Sequence, residues 1–276
     1  MKVVVLCAEQ ICSSVSNKHR SQTNWRDYMT SKIIPIPIDD PLELLRRCGG
    51  YYECPKDASG KRLGPLAGYA GKYETSNGNK LQFVGDVYVN FAKAERHGDV
   101  LWHFANNLWT DSLEVDDLTG FVGAPEGGKA LAVTLATLTG GQYIFPEKKV
   151  TAVATINSRE ESEMVFDRHE PEPGTLWYLS EDVINNMSTP DKIDELMKQY
   201  QARLVGIICF LNRSVHDDFY TLKSGQKLPI ISVVRKQFGQ YRQDAPEVAA
   251  DIAAGNVVWK PKNEWAKFES AMAKAK

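Results

Sequence analysis

Two adjacent carboxylates in the second half of the chain are the residues best suited to chemistry. Glu181 and Asp182 follow the apolar run at residues 176–179, and a polar loop begins two residues after them. In an open α/β sheet, ligands bind outside the carboxyl ends of the strands, and the amide groups at the beginning of a helix bind anions. Carboxylates at this place would accept hydrogen bonds from sugar hydroxyls, and the loop would bind a phosphate. The segment therefore predicts a site for a phosphorylated sugar.

The same segment also has a purely structural interpretation. Thr189 would cap the following helix, Pro190 would occupy its first position, and both acids would lie in solvent. Capping explains the Thr and the Pro but leaves the adjacent acids unexplained. The two interpretations are compatible, because a capped helix can still bind a phosphate.

Strands and helices that alternate along the chain must position these acids. Short apolar runs predict strands at residues 120–122, 142–145, 176–179, 204–211 and 230–234. Helical periodicity predicts helices at residues 98–108, 129–138 and 191–200. Apolar strands that alternate with helices predict an α/β fold with a five-stranded, mostly parallel central sheet flanked by helices.

The pattern changes between residues 147 and 169. Residues 151–156 and 163–166 are typical of two edge strands, and the polar residues 157–162 join them. This arrangement predicts a flap hairpin that projects from the sheet. Before the sheet begins, residues 81–89 predict a strand with a bulge or kink at Gly85.

Three regions are predicted along the chain. Residues 1–75 form an N-terminal extension, a hood or arm, with a short helix at residues 39–47. A loop rich in Gly, Pro and Tyr follows at residues 51–73, where it would face a ligand or cover the neighbouring domain. Residues 76–240 form the α/β domain. Residues 241–276 form a helical tail that packs on the body.

The composition disfavours several classes of protein. The chain has 276 residues, 33 Lys and Arg against 35 Asp and Glu, a net charge of −2 and a pI near 6.2. Such a balance disfavours nucleic acid and anionic membranes as partners. The absence of a long apolar run predicts a cytoplasmic protein. The paired cysteines, Cys7 with Cys12 and Cys48 with Cys54, have spacings that favour free thiols over a structural zinc site.

Residues 176–189 resemble the signature of the type I phosphoribosyltransferases: a strand, two acids, two apolar residues and a hydroxyl-rich loop. Residues 123–132 are similar to the pyrophosphate loop and following helix of the orotate phosphoribosyltransferases. Residues 86–90, 145–149 and 209–213 are similar to an early strand, the start of the catalytic loop and a late strand of that family. The resemblance spans about residues 81–234. It implies the fold of that family and transfer of the 5-phosphoribosyl group from phosphoribosyl pyrophosphate to a nucleobase.

The resemblance implies a role for each candidate site residue. The ribose and its 5′-phosphate would contact Glu181, Asp182, Asn185, Asn186, Ser188 and Thr189. The pyrophosphate would contact Glu126, Gly127, Gly128 and Lys129. Lys148 and Lys149 would act with Asp182 in catalysis, and Mg²⁺ would be bound mainly through phosphoribosyl pyrophosphate. Glu147 stands where the family usually carries a basic residue, and Arg168 and His169 would supply the missing catalytic cations if the flap folds over the site. A structural interpretation stays open, in which the two lysines are solvated and Arg168 covers an edge strand.

The nucleobase is predicted from the resemblance and from cations near the N-terminus. The resemblance favours orotate, with orotidine 5′-monophosphate and pyrophosphate as products, and it implies a homodimer. The candidates to contact the base are Lys72 and Tyr73, or Lys61 and Arg62, because an acidic ring needs a cation and an aromatic face. Another nucleobase is one alternative. A non-catalytic module that binds phosphoribosyl pyrophosphate or a nucleotide is another, since Met187 stands where the family carries glycine.

Overall fold

The computed structural model describes residues 40–109, 116–152, 161–185 and 187–274, which belong to the unit Ile36–Lys276. A six-stranded sheet lies at its centre. In spatial order the strands are β11 (Phe219–Thr221), β12 (Lys227–Arg235), β10 (Arg203–Asn212), β9 (Leu176–Ile184), β5 (Leu118–Gly123) and β6 (Gln142–Ile144). All neighbours are parallel except β11 and β12. The five predicted strands are confirmed. The sequence does not predict β11, because its three residues are exposed or partly exposed and form no apolar run.

Helices cover both faces of this sheet. On one face, α3 (Gly98–Trp109) and α4 (Gly128–Thr139) pack against Tyr178. On the other face, α5 (Ser188–Gln199) packs against Leu179. The apolar residues of these helices recur at helical spacing, so the predicted helices are confirmed, although α5 begins three residues earlier than predicted. None of the described helices is long and apolar enough to cross a membrane.

Two smaller sheets lie outside the central one. β2 (Leu66–Glu74) pairs with β3 (Lys80–Gly85) and β13 (Val257–Val258), and β1 (Tyr51–Glu53) pairs with β4 (Val87–Val89). The prediction of a loop over residues 51–73 is therefore wrong for residues 51–53 and 66–73, which are strands, and only residues 54–65 lie outside them. The small and aromatic residues have packing roles there: a Cβ on Gly68 would lie 3.1 Å from the Cα of Trp259, and Tyr69 is buried.

Asp86 divides the strand that the sequence predicts at residues 81–89. β3 ends immediately before it and β4 begins immediately after it, and these strands belong to different sheets. The Asp86 carboxylate lies 2.7 Å from Lys56 Nζ and 3.7 Å from Arg62 Nη2. Arg62 Nη1 lies 3.1 Å from the Asp251 carboxylate. The predicted kink is thus a complete break, which a small network of ion pairs stabilises.

The structure pairs strands across the predicted domain boundaries. The boundary after residue 75 falls in the turn between β2 and β3, which pair with each other. β13, from the predicted tail, pairs with β2. Phe268 of α7 (Trp265–Lys274) stacks on Tyr52 with ring centroids 4.0 Å apart. The remaining helices are α1 (Pro41–Arg47), which confirms the predicted short helix, α2 (Ala92–Glu95) and α6 (Ala249–Ala253). Residues 1–39 of the predicted extension lie outside the described residues.

The predicted hairpin is confirmed. β7 (Glu147–Ala152) pairs antiparallel with β8 (Glu161–Val165), so its first strand begins four residues before the predicted one. Phe166 packs edge-on against Tyr200 with ring centroids 5.5 Å apart, and Met164 packs against the core. These contacts attach the base of the hairpin to the C-terminal end of α5. The connection between the two strands, residues 153–160, lies outside the described residues.

Candidate functional site

The two predicted acids lie near the carboxyl end of β9, at the centre of the sheet. Successive side chains of a strand point to opposite faces, so Glu181 and Asp182 point to different sides of the sheet. Glu181 is aligned with Cys209 of β10. Both acids are only partly exposed. We call Glu181 and Asp182 the acid pair.

Asp182 lies directly against the loop before α4. A Cβ on Gly127 would be 2.2 Å from Asp182 Cγ, and a Cβ on Gly128 would be 1.9 Å from the carbonyl oxygen of Ser180. Gly128 therefore has no room for a side chain against the backbone of Ser180, whereas a side chain at Gly127 would require the end of the Asp182 side chain to move. The Ala124 amide donates to the Ser180 carbonyl oxygen at 2.9 Å, and this bond holds the loop on β9.

Glu126 of this loop and Lys129 of α4 form an ion pair. The peptide bond between Pro125 and Glu126 is cis. The carboxylate of Glu126, 82% exposed, lies 3.1 Å from Lys129 Nζ. Lys129 Nζ also lies 4.8 Å from the centre of the Phe145 ring. An anion at the beginning of α4 would therefore meet backbone amides and one ammonium group.

Glu181 faces the beginning of α5. The Thr189 hydroxyl donates a hydrogen bond to its carboxylate. Burial, with a further contribution from the negative charge of Asp182, raises the pKa of Glu181 to about 8, although the Thr189 hydrogen bond opposes this shift. Burial also raises the pKa of Asp182, against a hydrogen bond of 2.8 Å from the Val183 amide. The free protein therefore holds Glu181 mainly protonated at neutral pH.

The structure corrects the predicted cap of this helix. α5 begins at Ser188, so Thr189 and Pro190 both lie inside its first turn. Met187 precedes the helix and makes no side-chain cap. Its side chain is 5% exposed and belongs to the core, which explains an apolar residue within a polar loop. The Thr189 hydroxyl bonds to the acid pair and does not cap the helix.

A cavity of about 370 Å³ lies beside the carboxyl edge of the sheet, where β9, β10 and β12 end. Its lining includes Gly71, Lys72 and Phe83 from the β2–β3 hairpin and Asn185, Arg213 and Phe238 from the carboxyl edge. The Arg213 guanidinium carbon lies 4.2 Å from the centre of the Tyr69 ring and 5.4 Å from that of Phe238. Its Nε is buried and has no hydrogen-bond partner among the described residues. The cavity thus combines two cations with aromatic faces.

Arg213 is a functional candidate that the sequence did not single out. It follows the last residue of β10 directly, and a cation at the carboxyl end of a parallel strand is a signal that could have identified it. Of the two pairs predicted to contact the base, only Lys72 lines this cavity. Arg62 is held by Asp86 and Asp251. Lys61 is exposed on the loop before β2.

Tyr73 is not among the residues that line this cavity. Its ring packs against Phe83 with centroids 4.9 Å apart, and the Arg242 guanidinium carbon lies 4.6 Å from the ring centre. Its hydroxyl oxygen accepts a hydrogen bond of 2.8 Å from the Gln243 amide. Lys72 and Tyr73 therefore lie on opposite faces of β2, as alternation along a strand requires.

Four predicted catalytic cations, Lys148, Lys149, Arg168 and His169, lie in the hairpin or directly after it. Lys148 and Lys149 lie in β7, opposite Met164 and Glu163. Arg168 and His169 are exposed between β8 and β9. No contact of the described residues joins Lys149, Arg168 or His169 to the acid pair. Because the hairpin begins just after β6, it leaves the sheet at the edge that carries the acids. Asn186, another predicted residue, lies outside the described residues.

The described residues were also compared with the predictions for bound metal and for the cysteines. These contain no cluster of three or more His, Cys, Asp or Glu that could hold a metal ion. Cys48, Cys54 and Cys209 are free thiols, and Cys7 and Cys12 lie outside the described residues. A Mg²⁺ ion at the acid pair would therefore need oxygen ligands from a substrate, which is the usual way in which this ion binds with phosphates.

Comparison with known proteins gives structural similarities alone. No family model matches the chain, and no curated protein matches it. Similar solved structures include orotate phosphoribosyltransferase from Aeropyrum pernix, with 15% identity over 70% of this chain and 92% of that one and a TM-score of 0.43. Adenine phosphoribosyltransferase from Rhodothermus marinus has 15% identity over 71% and 98%, with a TM-score of 0.43. These are enzymes of the type that the sequence resembles. Identities of 15% and TM-scores of 0.43 do not transfer a function to this chain.

Proposed function

We propose that this protein is a phosphoribosyltransferase. The observation that carries the proposal is that the acid pair joins two helix beginnings: Asp182 lies against Gly127 before α4, and Glu181 bonds to Thr189 in the first turn of α5. Each helix beginning favours an anion, and the acids between them favour hydroxyl groups. Phosphoribosyl pyrophosphate has this arrangement, with a pyrophosphate at one end, a phosphate at the other and two hydroxyls between.

The particular enzyme that we propose is an orotate phosphoribosyltransferase, with formation of orotidine 5′-monophosphate. Lys72 and Arg213 place two positive charges in the cavity, and Phe83 and Phe238 supply apolar ring faces. A planar ring with a carboxylate matches these groups better than a neutral purine, because the buried Nε of Arg213 needs an acceptor.

The reaction would exchange one bond at the anomeric carbon of the ribose. The bond from this carbon to the pyrophosphate oxygen breaks, and pyrophosphate leaves with the electron pair. A ring nitrogen of the base forms the new bond and releases its proton to solvent. The sugar carries positive charge in the transition state, as in glycoside hydrolysis, and Glu181 and Asp182 would bind its hydroxyls.

The charge on the leaving pyrophosphate also needs neutralisation. Lys148, Lys149, Arg168 and His169 are proposed for this role, brought in by movement of the hairpin. Mg²⁺ would bind through the pyrophosphate and the carboxylate of Asp182, and it would supply positive charge to the leaving group. A homodimer, as the resemblance implies, is part of this proposal.

The test is an assay of pyrophosphate release from phosphoribosyl pyrophosphate and Mg²⁺ with orotate, uracil, hypoxanthine, guanine or adenine in turn. We expect release with orotate alone. Release with one of the other bases would retain the class of enzyme and overturn orotate as its substrate. If no base gives release while the donor still raises the melting temperature, the enzyme proposal is wrong and the protein is a binding module.

Variants of the cavity sharpen this test. Arg213→Gln and Lys72→Gln are each expected to raise the KM for orotate about tenfold, because each removes a charge-assisted contact. Lys80→Gln is the matched control, since Lys80 is an exposed lysine of the same hairpin that does not line the cavity. An equal effect of all three variants would contradict the assignment of the base to this cavity.

A further inference from the structure

A cavity of about 450 Å³, here called the second cavity, adjoins the 370 Å³ cavity proposed for the base, here called the first cavity. Asn185 and Val215 line both, so the two spaces meet at these side chains. Ser188, which is predicted to contact the 5′-phosphate, also lines the second cavity. Its volume is in the range of sites for whole small molecules, so a single phosphate would leave much of it empty.

The loop between β10 and β11 is held in shape at this junction by a buried asparagine. The side-chain amide of Asn212, 1% exposed, donates to the carbonyl oxygens of His216 and Asp217 at 2.8 Å and 3.2 Å. Its amide oxygen accepts hydrogen bonds from the Ser214 amide at 3.0 Å and the Ser214 hydroxyl at 2.8 Å. Arg235 Nη1 donates to the same two carbonyl oxygens at 2.7 Å and 2.9 Å. These bonds fix the loop relative to both cavities.

This fixed loop presents an apolar side chain to solvent where the cavities meet. Val215 is 82% exposed although it lines both of them. An exposed valine does not stabilise the free protein, whereas a ligand that crosses from one cavity to the other would remove its apolar surface from water. The exposure of Val215 therefore favours a ligand that is long enough to occupy both cavities.

The second cavity has more positive than negative charge. Lys192 and Lys223 line it together with His216, whose ring packs edge-on against Tyr220 with centroids 4.9 Å apart. Asp191 is the one carboxylate among the described residues of the lining, and it is 6% exposed. Its oxygens accept hydrogen bonds of 3.0 Å from the Tyr220 hydroxyl and the Lys223 amide, and Lys223 Nζ lies 4.0 Å away. Because this carboxylate is already engaged, the cavity favours an anionic ligand.

We propose that the second cavity binds the phosphate chain of a pyrimidine nucleoside 5′-triphosphate whose base lies in the first cavity, and that this nucleotide inhibits the enzyme. The inference rests on the proposed function, which places a base in the first cavity and a 5′-phosphate at Ser188. The β- and γ-phosphates have no counterpart at the 5′ end of phosphoribosyl pyrophosphate, and they would extend from Ser188 towards Lys192 and Lys223. Ammonium groups are compact charges that suit phosphates. Because nucleotide and donor share the position of the 5′-phosphate, the inhibition is competitive with the donor.

The test measures how affinity depends on the length of the phosphate chain. Calorimetry with uridine 5′-mono-, di- and triphosphate should show that each phosphate tightens binding to the wild type, with the triphosphate about a hundredfold tighter than the monophosphate. Lys192→Gln combined with Lys223→Gln should reduce this ratio to about threefold and change the affinity for the monophosphate less than about twofold. The triphosphate should raise the KM of the wild type for phosphoribosyl pyrophosphate without lowering kcat.

Lys198→Gln is the matched control. Lys198 belongs to the same helix, its Nζ lies 2.8 Å from the Asp194 carboxylate, and it does not line the second cavity. This variant should keep the full ratio between triphosphate and monophosphate. Melting temperatures of all variants should be close to that of the wild type, because the substituted lysines are exposed.

Each other outcome has a distinct meaning. If the three nucleotides bind the wild type equally, or if the double variant keeps the ratio of the wild type, the role of the second cavity is wrong and the proposed function stands. Tight binding of the triphosphate without a change in the KM for the donor would overturn the shared position and the inhibition. If the wild type binds neither these nucleotides nor phosphoribosyl pyrophosphate, this inference and the proposed function are both wrong.

Discussion

The loop before α4 approaches the acid pair with bare backbone, whereas the loop before α5 approaches it with side chains. Gly127 and Gly128 leave no room for a Cβ against Asp182 and the Ser180 carbonyl oxygen. The loop before α5 contains no glycine, and it contacts Glu181 through the Thr189 hydroxyl. The first loop can therefore present amides to a ligand at the shortest distance, and the second can vary its side chains without moving its backbone.

The two loops are therefore expected to differ in their tolerance to mutation. At Gly128 an added side chain would force the backbone to move, because its close neighbour is the backbone of Ser180, whereas at Gly127 the Asp182 side chain would move instead. A site made of side chains loses one contact at a time. The substitutions below separate these two behaviours.

The largest loss of stability is expected from Gly128→Ala. The added methyl would meet the Ser180 carbonyl oxygen at 1.9 Å, and backbone on both sides prevents relaxation. The free energy of unfolding, measured with urea, should fall by about 3 kcal/mol. Gly98→Ala is the matched control, because a Cβ there meets no atom within 4 Å and α3 gains a better helix former. Equal stability of the two variants would disprove the close approach.

The next effect is expected from Gly127→Ala, which should spare the fold and impair the reaction. Its methyl would displace the end of the Asp182 side chain, which can move. The proposed function then predicts a fall in kcat/KM for the donor of about a hundredfold, since a displacement of about 1 Å can cost that much. Asp182→Asn should show a comparable fall, with a melting temperature near that of the wild type. A folded Gly127→Ala variant with full activity would contradict the role of Asp182.

Glu181 should make stability depend on pH. Its pKa of about 8 lies above the value in the unfolded chain, so the folded state holds the proton more tightly. The resulting stabilisation is complete below about pH 4 and is lost as the pH rises through 8. Glu181→Gln, which resembles the protonated form, should equal the wild type at pH 4 and exceed it by about 4 kcal/mol at pH 8. Urea unfolding at both pH values measures the difference. A constant difference would show that Glu181 does not titrate there.

The smallest effect is expected from Thr189→Val. The loss of its hydroxyl removes the hydrogen bond that lowers the pKa of Glu181, so this pKa should rise further. Affinity for phosphoribosyl pyrophosphate should fall about threefold to tenfold, the range for one hydrogen bond. Thr189→Ser retains the hydroxyl and should bind the donor as the wild type does. If Thr189→Val matches Gly127→Ala in its effect, the proposed difference between the two loops is wrong.

The central sheet could be predicted because each of its parallel strands and flanking helices has a recognisable pattern within its own residues. Each of the five parallel strands is an apolar run, and each flanking helix repeats its apolar residues within its own length. β2 could not be predicted in the same way. It is stabilised by pairing with β3 and with β13, which is almost two hundred residues away, and its glycines are typical of loops when neighbours are unknown.

The same distinction separates the site residues that the sequence predicts from those that it does not. Gly127, Asp182, Glu181 and Thr189 were singled out from the sequence, and the structure brings them together, while their roles stay predictions. Arg213 was not identified, because its relevance depends on where a distant segment packs. Arg213 lies among residues from the β2–β3 hairpin. Sequence spacing carries no information on such contacts.

The pairing of β13 with β2 has a consequence for synthesis on the ribosome. Val257 and Val258 leave the exit tunnel after all strands of the central sheet, so the sheet can form while β2 still lacks this neighbour. One wall of the 370 Å³ cavity comes from the β2–β3 hairpin, whose strand β2 gains β13 as its last neighbour. A nascent chain can therefore form the strand that carries the acid pair before β2 gains its second neighbour.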